Sequence, residues 1–283
     1  MILLTWNIQW CRGVDGFVDA ERIVDTARSL GDFDVLCLQE VARNYPELPG
    51  SGGEDQFDLL RRLLPGFAAV PGVGVDTLAT EGTRRQFGNL ILTRLPVLQA
   101  FRHLLPWPAD PSVPTMQRIA VEAVLATTSG PLRVTTTHLE YYSAAQRGAQ
   151  VERLRELQAE AAGHAFDRDF AEKRGGPFER APRPASGILT ADFNFHPHDP
   201  EYARIQEPIR EGVPAYRDAW RARYPGLPHP PTLGIYDRVQ WPAASTTDLI
   251  FVTDDLAPRV EDVVVDGETK ASDHQPVMLR LRD

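Results

Sequence analysis

Apolar and β-branched positions fall into short runs along the chain, at 2–6, 33–39, 89–93, 119–126, 132–137, 186–190, 248–253, 261–265 and 276–281. Runs of this length, bounded by polar or turn-forming residues, predict strands, and their number predicts a sheet-rich core. Helical spacing is confined to a few places. Asp19 caps a predicted helix running to Leu30 with Gly31 as its stop, and a second covers Gln56 to Leu64 and ends at Pro65. Ser143 caps the longest, in which Val151, Leu154, Leu157 and Ala161 make one apolar stripe. Asp199-Pro200 opens a fourth by the cap-then-proline signal, and a fifth is expected from Ala215 to Tyr224. Helices interspersed among short strands leave two arrangements open: two sheets face to face with helices outside, or one large mixed sheet.

Two segments break the pattern. Residues 71–87, PGVGVDTLATEGTRRQF, are Gly-rich with an arginine pair, and residues 167–186, DRDFAEKRGGPFERAPRPAS, are charged and rich in Pro and Gly. Both read as irregular loops. The first is expected to place Arg84 or Arg85 over a substrate, the second to be a mobile insertion.

The strand ends carry the chemistry. In ILTADFNFHP, residues 188–197, an apolar run ends on Asp192 and Asn194, which share one face of an extended chain. Other predicted strands lead to Asn7, Glu40 and His138, one begins on Asp248, and Asp273-His274 precedes the last. Each of these residues alone has an ordinary explanation as a turn, cap or surface group. If the ends converge, Glu40, Asp192, Asp248 and Asp273 bring up to four negative charges into a small volume, and two histidines do not neutralise them near pH 7. A cation is then required. Oxygen donors without thiolates favour a hard ion, Mg2+ or Mn2+, over zinc. Such a site suits phosphate-ester hydrolysis, with a carboxylate positioning water and a histidine held by an aspartate meeting the phosphoryl oxygens.

These residues, in this order, resemble the endonuclease/exonuclease/phosphatase superfamily, which includes DNase I-like nucleases, sphingomyelinases and inositol polyphosphate 5-phosphatases. The matching stretches are Trp6-Asn7-Ile8, Leu38-Gln39-Glu40-Val41, Gly88-Asn89-Leu90-Ile91-Leu92-Thr93-Arg94, Thr137-His138-Leu139, Ala191-Asp192-Phe193-Asn194, Asp248-Leu249-Ile250-Phe251 and Ser272-Asp273-His274. Ala191 stands where the family usually has Gly, and Thr93 where Ser is common. The resemblance implies an α/β, DNase I-like four-layer sandwich of two mixed β-sheets flanked by helices, forming a single catalytic domain over residues 1–283. It further implies Glu40 as the main metal ligand with Asn7 beside it and Asp273 binding or near the metal. Asp192 would orient or activate water, Asn194 would hold phosphate or metal-bound water, and His274, steered by Asp248, would contact the scissile phosphate. His138 matches a second histidine of the DNase-like and sphingomyelinase-like branches. His196 and His198 fall outside the family pattern, and loop positions at the rim are expected for them rather than an accessory metal site.

The expected function is therefore Mg2+-dependent hydrolysis of a phosphate ester, foremost a phosphodiester in a nucleic acid or small molecule. A phospholipid headgroup is the alternative substrate, and a catalytically silent phospho-ligand binding module is the non-enzymatic reading. No protein partner is inferred. Net charge is −9 and no stretch clusters Lys and Arg, which weakens but does not remove the nucleic-acid reading. The opening residues lack a basic n-region and no apolar run is long enough to span a bilayer, so a cytoplasmic chain is expected, with Cys11 and Cys37 as reduced thiols. Arg118, which begins a predicted strand, is a candidate substrate contact or a packing residue, and the aromatic residues Trp10, Trp107, Tyr141, Tyr142 and Trp241 fall in predicted rim loops.

Overall fold

The computed structural model describes residues 1–79 and 82–282. The first half runs β1 (Ile2–Asn7), α1 (Ala20–Leu30), β2 (Val35–Arg43), α2 (Gln56–Leu63), β3 (Ala68–Leu78), β4 (Arg84–Thr93), β5 (Val97–Leu104), β6 (Ile119–Thr127) and β7 (Gly130–His138). The second runs α3 (Ala144–His164), β8 (Gly187–Asp192), α4 (Pro200–Gln206), β9 (Tyr216–Asp218), α5 (Ala219–Arg223), β10 (Asp248–Thr253), β11 (Val260–Val265) and β12 (Val277–Leu281). The strands form two six-stranded mixed sheets, ordered β11-β12-β1-β2-β4-β3 and β5-β6-β7-β8-β10-β9.

Period-2 alternation distributes the apolar side chains between layers. Leu3, Val35, Cys37, Ile188, Ile250, Val252, Val277 and Leu279 point into the space between the sheets. Their neighbours Leu4, Leu36 and Leu38 pack under α1 and α2, beside Ile23, Val24, Phe57 and Leu60. On the other flank Leu189, Ala191, Leu249 and Phe251 meet Val151, Leu154 and Leu157 of α3. Central strands covered on both faces read as unbroken apolar runs, which is why they stood out in the sequence. The result is the four-layer sandwich, and it resolves the choice between two sheets and one.

The capped helices form as expected. Asp19 accepts from the Arg22 N–H at the start of α1, and Ser143 accepts from the Gln146 N–H at the start of α3. The fifth helix needs correction. Tyr216–Asp218 pairs with β10 as a short strand, and the helix starts only at Ala219, where Asp218 accepts from the N–H groups of Trp220 and Arg221.

The 71–87 segment also differs from expectation: apart from residues 80 and 81, which lie outside the described residues, most of it belongs to the antiparallel pair β3–β4. Gly72 serves close approach of the sheets, since a Cβ there would lie 2.0 Å from the Val121 methyl of β6. Just past the segment, Gly88 serves close approach within the sheet, since a Cβ there would lie 2.0 Å from the Gly72 carbonyl oxygen of the paired strand. Arg84 pairs with Asp76 and Arg85 with Glu47.

Between α3 and β8, residues 166–180 are largely exposed and carry one 3-10 turn at Ala171–Lys173. The far end of this segment is tied to the second sheet. Arg183 donates to the buried Glu122 at 2.9 Å, and Arg133 donates to the Pro184 carbonyl at 2.6 Å. Among the described residues, no helix is long and apolar enough to cross a membrane. Cys11 and Cys37 are free and buried, and burial pushes the Cys37 thiol up to about 12.

Candidate active site

One parallel pair sits inside each sheet, β1 with β2 and β7 with β8. Parallel neighbours end at the same rim, so each pair delivers its last residues together. Register fixes which ones: Asn7 lies opposite Gln39, whose neighbour is Glu40, and His138 lies opposite Asp192. Strand β10 runs antiparallel to β8, so its first residue, Asp248, is also opposite Asp192. The turn before β12 adds Asp273 and His274, which is anchored where its carbonyl accepts from the Trp6 indole N–H at 3.0 Å. The eight residues expected at the site thus come together from six separate stretches.

Two of them sit on backbone that non-glycine residues seldom adopt. The β2–β4 pairing slips between Leu38 and Val41, and at that bulge Glu40 has φ +60°, while Asn194 has φ +52°. A bulge re-aims a side chain, and left-handed conformations of this kind cost of order 1–3 kcal/mol each. Here they turn the Glu40 carboxylate and the Asn194 amide toward the cleft.

The hydrogen bonds assign orientations. Asn7 Nδ2 donates to Glu40 Oε1 and to Asp192 Oδ2, both at 3.0 Å, while its Oδ1 accepts from the Gln9 N–H. Asn7 therefore bridges two carboxylates through its nitrogen, with its oxygen turned to the Gln9 N–H. Asn194 Nδ2 donates to the Leu139 carbonyl and to His138 Nε2, each at 2.9 Å. His274 Nδ1 faces Asp248 Oδ2 at 2.8 Å, and its Nε2 lies 3.6 Å from Asp192 Oδ2.

Protonation follows from these contacts. For His274, burial opposes charge, but Asp248, Asp192 and Asp273 outweigh it and raise its pKa well above the usual histidine range. His138 goes the other way: burial and then the Arg118 charge push it down to about 3, so near neutrality its imidazole is uncharged and can accept from Asn194. Burial also opposes ionisation of Asp192, yet the charge on His274 and hydrogen bonds from Asn7 and the Asn194 N–H together lower its pKa. Glu40 has too little compensation, and burial followed by Asp273 raises it to about 7.

That imbalance tests whether the residues suit a metal ion. Negative charge from Glu40, Asp192 and Asp273 exceeds what His274 returns, and the donors are oxygen with no thiolate. The set fits a hard divalent cation. Among the described residues, Asp192, Asp248 and His274 hold their donor atoms within 4.8 Å of one another. Asp248 and His274 are already bound to each other, however, so this trio is a charge-paired unit, and the carboxylates left without a cationic partner are Glu40 and Asp273.

Supporting groups complete the site, and of these Gln9, Thr5, Thr136 and Thr232 are not singled out as site residues by the sequence. Asp273 Oδ2 accepts from Gln9 Nε2 and from the Trp241 indole, each at 2.9 Å, and Asp248 Oδ2 accepts from Thr232 Oγ1 at 2.7 Å. Gln39 Nε2 reaches Thr5 Oγ1 of one sheet and Thr136 Oγ1 of the other, at 3.0 and 2.8 Å, and so joins the layers beneath the site. Arg118 lines the cleft, is 7% exposed, donates from Nε to Glu140 at 3.2 Å, and keeps a buried Nη1 without a partner. His196 and His198 stack face to face with ring centroids 5.3 Å apart, and neither belongs to a gathered ligand group among the described residues.

Two stacked sheets whose strand ends bring carboxylates and imidazoles together at one rim define the architecture, and the comparisons give it a family. The sequence profile of the Endonuclease/Exonuclease/phosphatase family matches residues 4–274, and the chain belongs to that family. Its structure resembles an endonuclease/exonuclease/phosphatase from Beutenbergia cavernae (24% identity, TM-score 0.65), covering 100% of this chain and 72% of that one. It also resembles a mannosyl-6-phosphatase of Bacteroides thetaiotaomicron (17%, TM-score 0.68) and a Neisseria 3′ phosphatase bound to product DNA hairpin (19%, TM-score 0.61), both covering 100% of both chains. Comparison with curated protein sequences gives no match.

Proposed function

We propose that the chain is a divalent-cation-dependent hydrolase of phosphate esters, with Mg2+ or Mn2+ as its ion. The observation that carries this reading is the pairing of an unneutralised Glu40 with a His274–Asp248 ion pair on either side of Asp192. Glu40 would hold the ion, with the charge of Asp273 close by. Asn7 in its present orientation clamps Glu40 to Asp192; meeting the ion itself would require rotating its amide away from the Gln9 N–H. When bound, the ion would polarise a phosphoryl oxygen and offset negative charge in the transition state.

The remaining work falls to the chain. Asp192, fixed at Oδ1 by the Asn194 N–H (3.1 Å) and at Oδ2 by Asn7, orients water for in-line attack and draws on its proton as the new P–O bond forms. His274, charged and held through Nδ1, directs Nε2–H at a phosphoryl oxygen while the ester P–O bond opposite the attacking water breaks, and the departing oxygen leaves with the bonding pair and takes a proton from solvent. His138, uncharged, pins the Asn194 side chain. We place all of this in one catalytic domain spanning the chain, with 167–186 as an insertion outside the site.

The test is a metal-stripped protein assayed on phosphomonoesters, small phosphodiesters, oligonucleotides and phospholipids, with and without Mg2+ or Mn2+. Turnover on one class that appears with the metal and disappears with chelator is the expected result. A folded, metal-supplemented protein inert on every class would overturn the reading.

A further inference from the structure

The cleft that contains Glu40, Asp192 and His274 has a volume of about 450 Å³, within the range of small-molecule sites. Its polar centre occupies only part of it. The rest is lined by Tyr45, Leu48 and Phe87 from the first sheet and its loops, and by Tyr141, Tyr142 and Trp241 from loops around the second. The rings meet edge to face: Tyr45 against Phe87 with centroids 6.3 Å apart at 85°, and Tyr141 against Trp241 at 5.9 Å and 79°. Tyr141 and Tyr142 are 45% and 58% exposed, an unusual state for neighbouring aromatic side chains beside a charged centre.

The cations are as informative as the rings. Among the described residues lining the cleft, Arg118 is the only arginine or lysine, and it is buried and bound to Glu140. Arg85, which lies over the Tyr45 ring at 5.8 Å, is paired with Glu47. A polynucleotide needs a row of cations along its phosphates, because displacement of counterions supplies much of its affinity. This cleft offers charge for one phosphoryl group and apolar, aromatic surface for what is attached to it.

We infer that the substrate is a small phosphoester bearing a single phosphoryl group at the Glu40–His274 centre and a planar aromatic group seated among Tyr45, Phe87, Tyr141 and Trp241. This rests on the phosphoesterase reading and narrows it. Burial of a ring supplies binding free energy that the polar centre cannot, and aromatic walls favour a flat partner over an alkyl chain. Trp241 connects the two halves, since its indole N–H is bonded to Asp273 while its ring borders Tyr141.

The test is calorimetric binding of two non-hydrolysable probes, 2-naphthylmethylphosphonate and methylphosphonate, to the Mg2+-loaded protein. Their phosphonate groups match and leaving-group chemistry plays no part. The aromatic probe should bind at least about tenfold more tightly. Tyr45→Ala and Tyr141→Ala, at partly exposed loop positions, should each remove most of that advantage and leave methylphosphonate binding unchanged. Equal affinities in the parent protein, or an advantage that survives both substitutions, would overturn the inference. So would tighter, strongly salt-dependent binding of an oligonucleotide, or capture by phosphatidylcholine vesicles in preference to the aromatic probe. If neither probe binds and no phosphoester turns over, the phosphoesterase reading itself falls; turnover without aromatic preference removes only the present inference.

Discussion

His274 Nδ1 lies 2.8 Å from Asp248 Oδ2, with His274 lining the cleft and Asp248 buried behind it. The bond points the other ring nitrogen toward Asp192 and keeps the imidazole charged where a phosphoryl oxygen would sit. A charged donor fixed in place before substrate arrives need not reorganise during the reaction.

Asp248→Asn should therefore retain the fold while weakening that charge. We expect kcat to fall by about 10² to 10⁴ with KM within roughly threefold of the parent. Steady-state kinetics on whichever phosphoester the screen identifies decide this, with thermal unfolding as the control; an unchanged kcat would show that Asp248 only fills space.

Glu40→Gln exchanges function for stability. The substitution keeps an oxygen for the Asn7 bond and removes one of the like charges facing Asp273 and Asp192. Without metal, the variant should melt a few degrees higher, on the order of 1–2 kcal/mol. Its Mg2+ affinity should drop by roughly tenfold or more, since a carboxylate ligand has become an amide. Calorimetry reads both quantities, and unchanged Mg2+ affinity would remove Glu40 from the metal site.

Glu122 sets the acid limit. Burial opposes its charge, but His103, Arg133 and Arg183 outweigh burial and hold it at about 2, against an ordinary 4.5. A carboxyl group with a lowered folded-state pKa contributes its full stabilisation above the unfolded value and loses it as pH falls toward the folded one. Stability should accordingly decline from about pH 4.5 down to about 2. Glu122→Gln leaves Arg133 and Arg183 buried without their counter-charge, so we expect a loss of about 3–5 kcal/mol at neutral pH and a flatter acid limb. Urea unfolding across that range tests it; an unaltered acid limb would assign the effect to other carboxylates.

Two glycines should respond in opposite directions. Gly88→Ala would set a Cβ against the Gly72 backbone, which cannot move aside as a side chain can, and should cost about 3 kcal/mol or prevent folding. Gly148 lies within α3, where an added Cβ would meet nothing within 4 Å, so Gly148→Ala should stabilise by about 0.5–1 kcal/mol. Chemical denaturation of the pair is the measurement, and a tolerated Gly88→Ala would mean that the β3–β4 strands can separate.

Much of this was legible from local signals. The doubly buried central strands were visible because both faces are apolar, and α1 and α3 because Asp19 and Ser143 cap them. Edge strands left weaker traces. Strand β5 is partly exposed along most of its length and β3 is interrupted by Gly72 and Gly74, so neither shows a clear two-residue alternation. Strand β9 was hidden inside an apparent helix, because three residues pairing with β10 carry no periodicity of their own.

The sequence by itself determined the identity and order of the acidic, amide and imidazole groups, for these are covalent facts and their types dictate the chemistry available. Tertiary structure alone decided which ones touch and in what state. Sheet register set Asp192 opposite both His138 and Asp248, and burial and neighbouring charge then left one histidine uncharged and the other charged. The aromatic wall is likewise a product of packing: Tyr45 and Trp241 are far apart in the chain and line one cleft because two sheets stack, a proximity that no local spacing encodes.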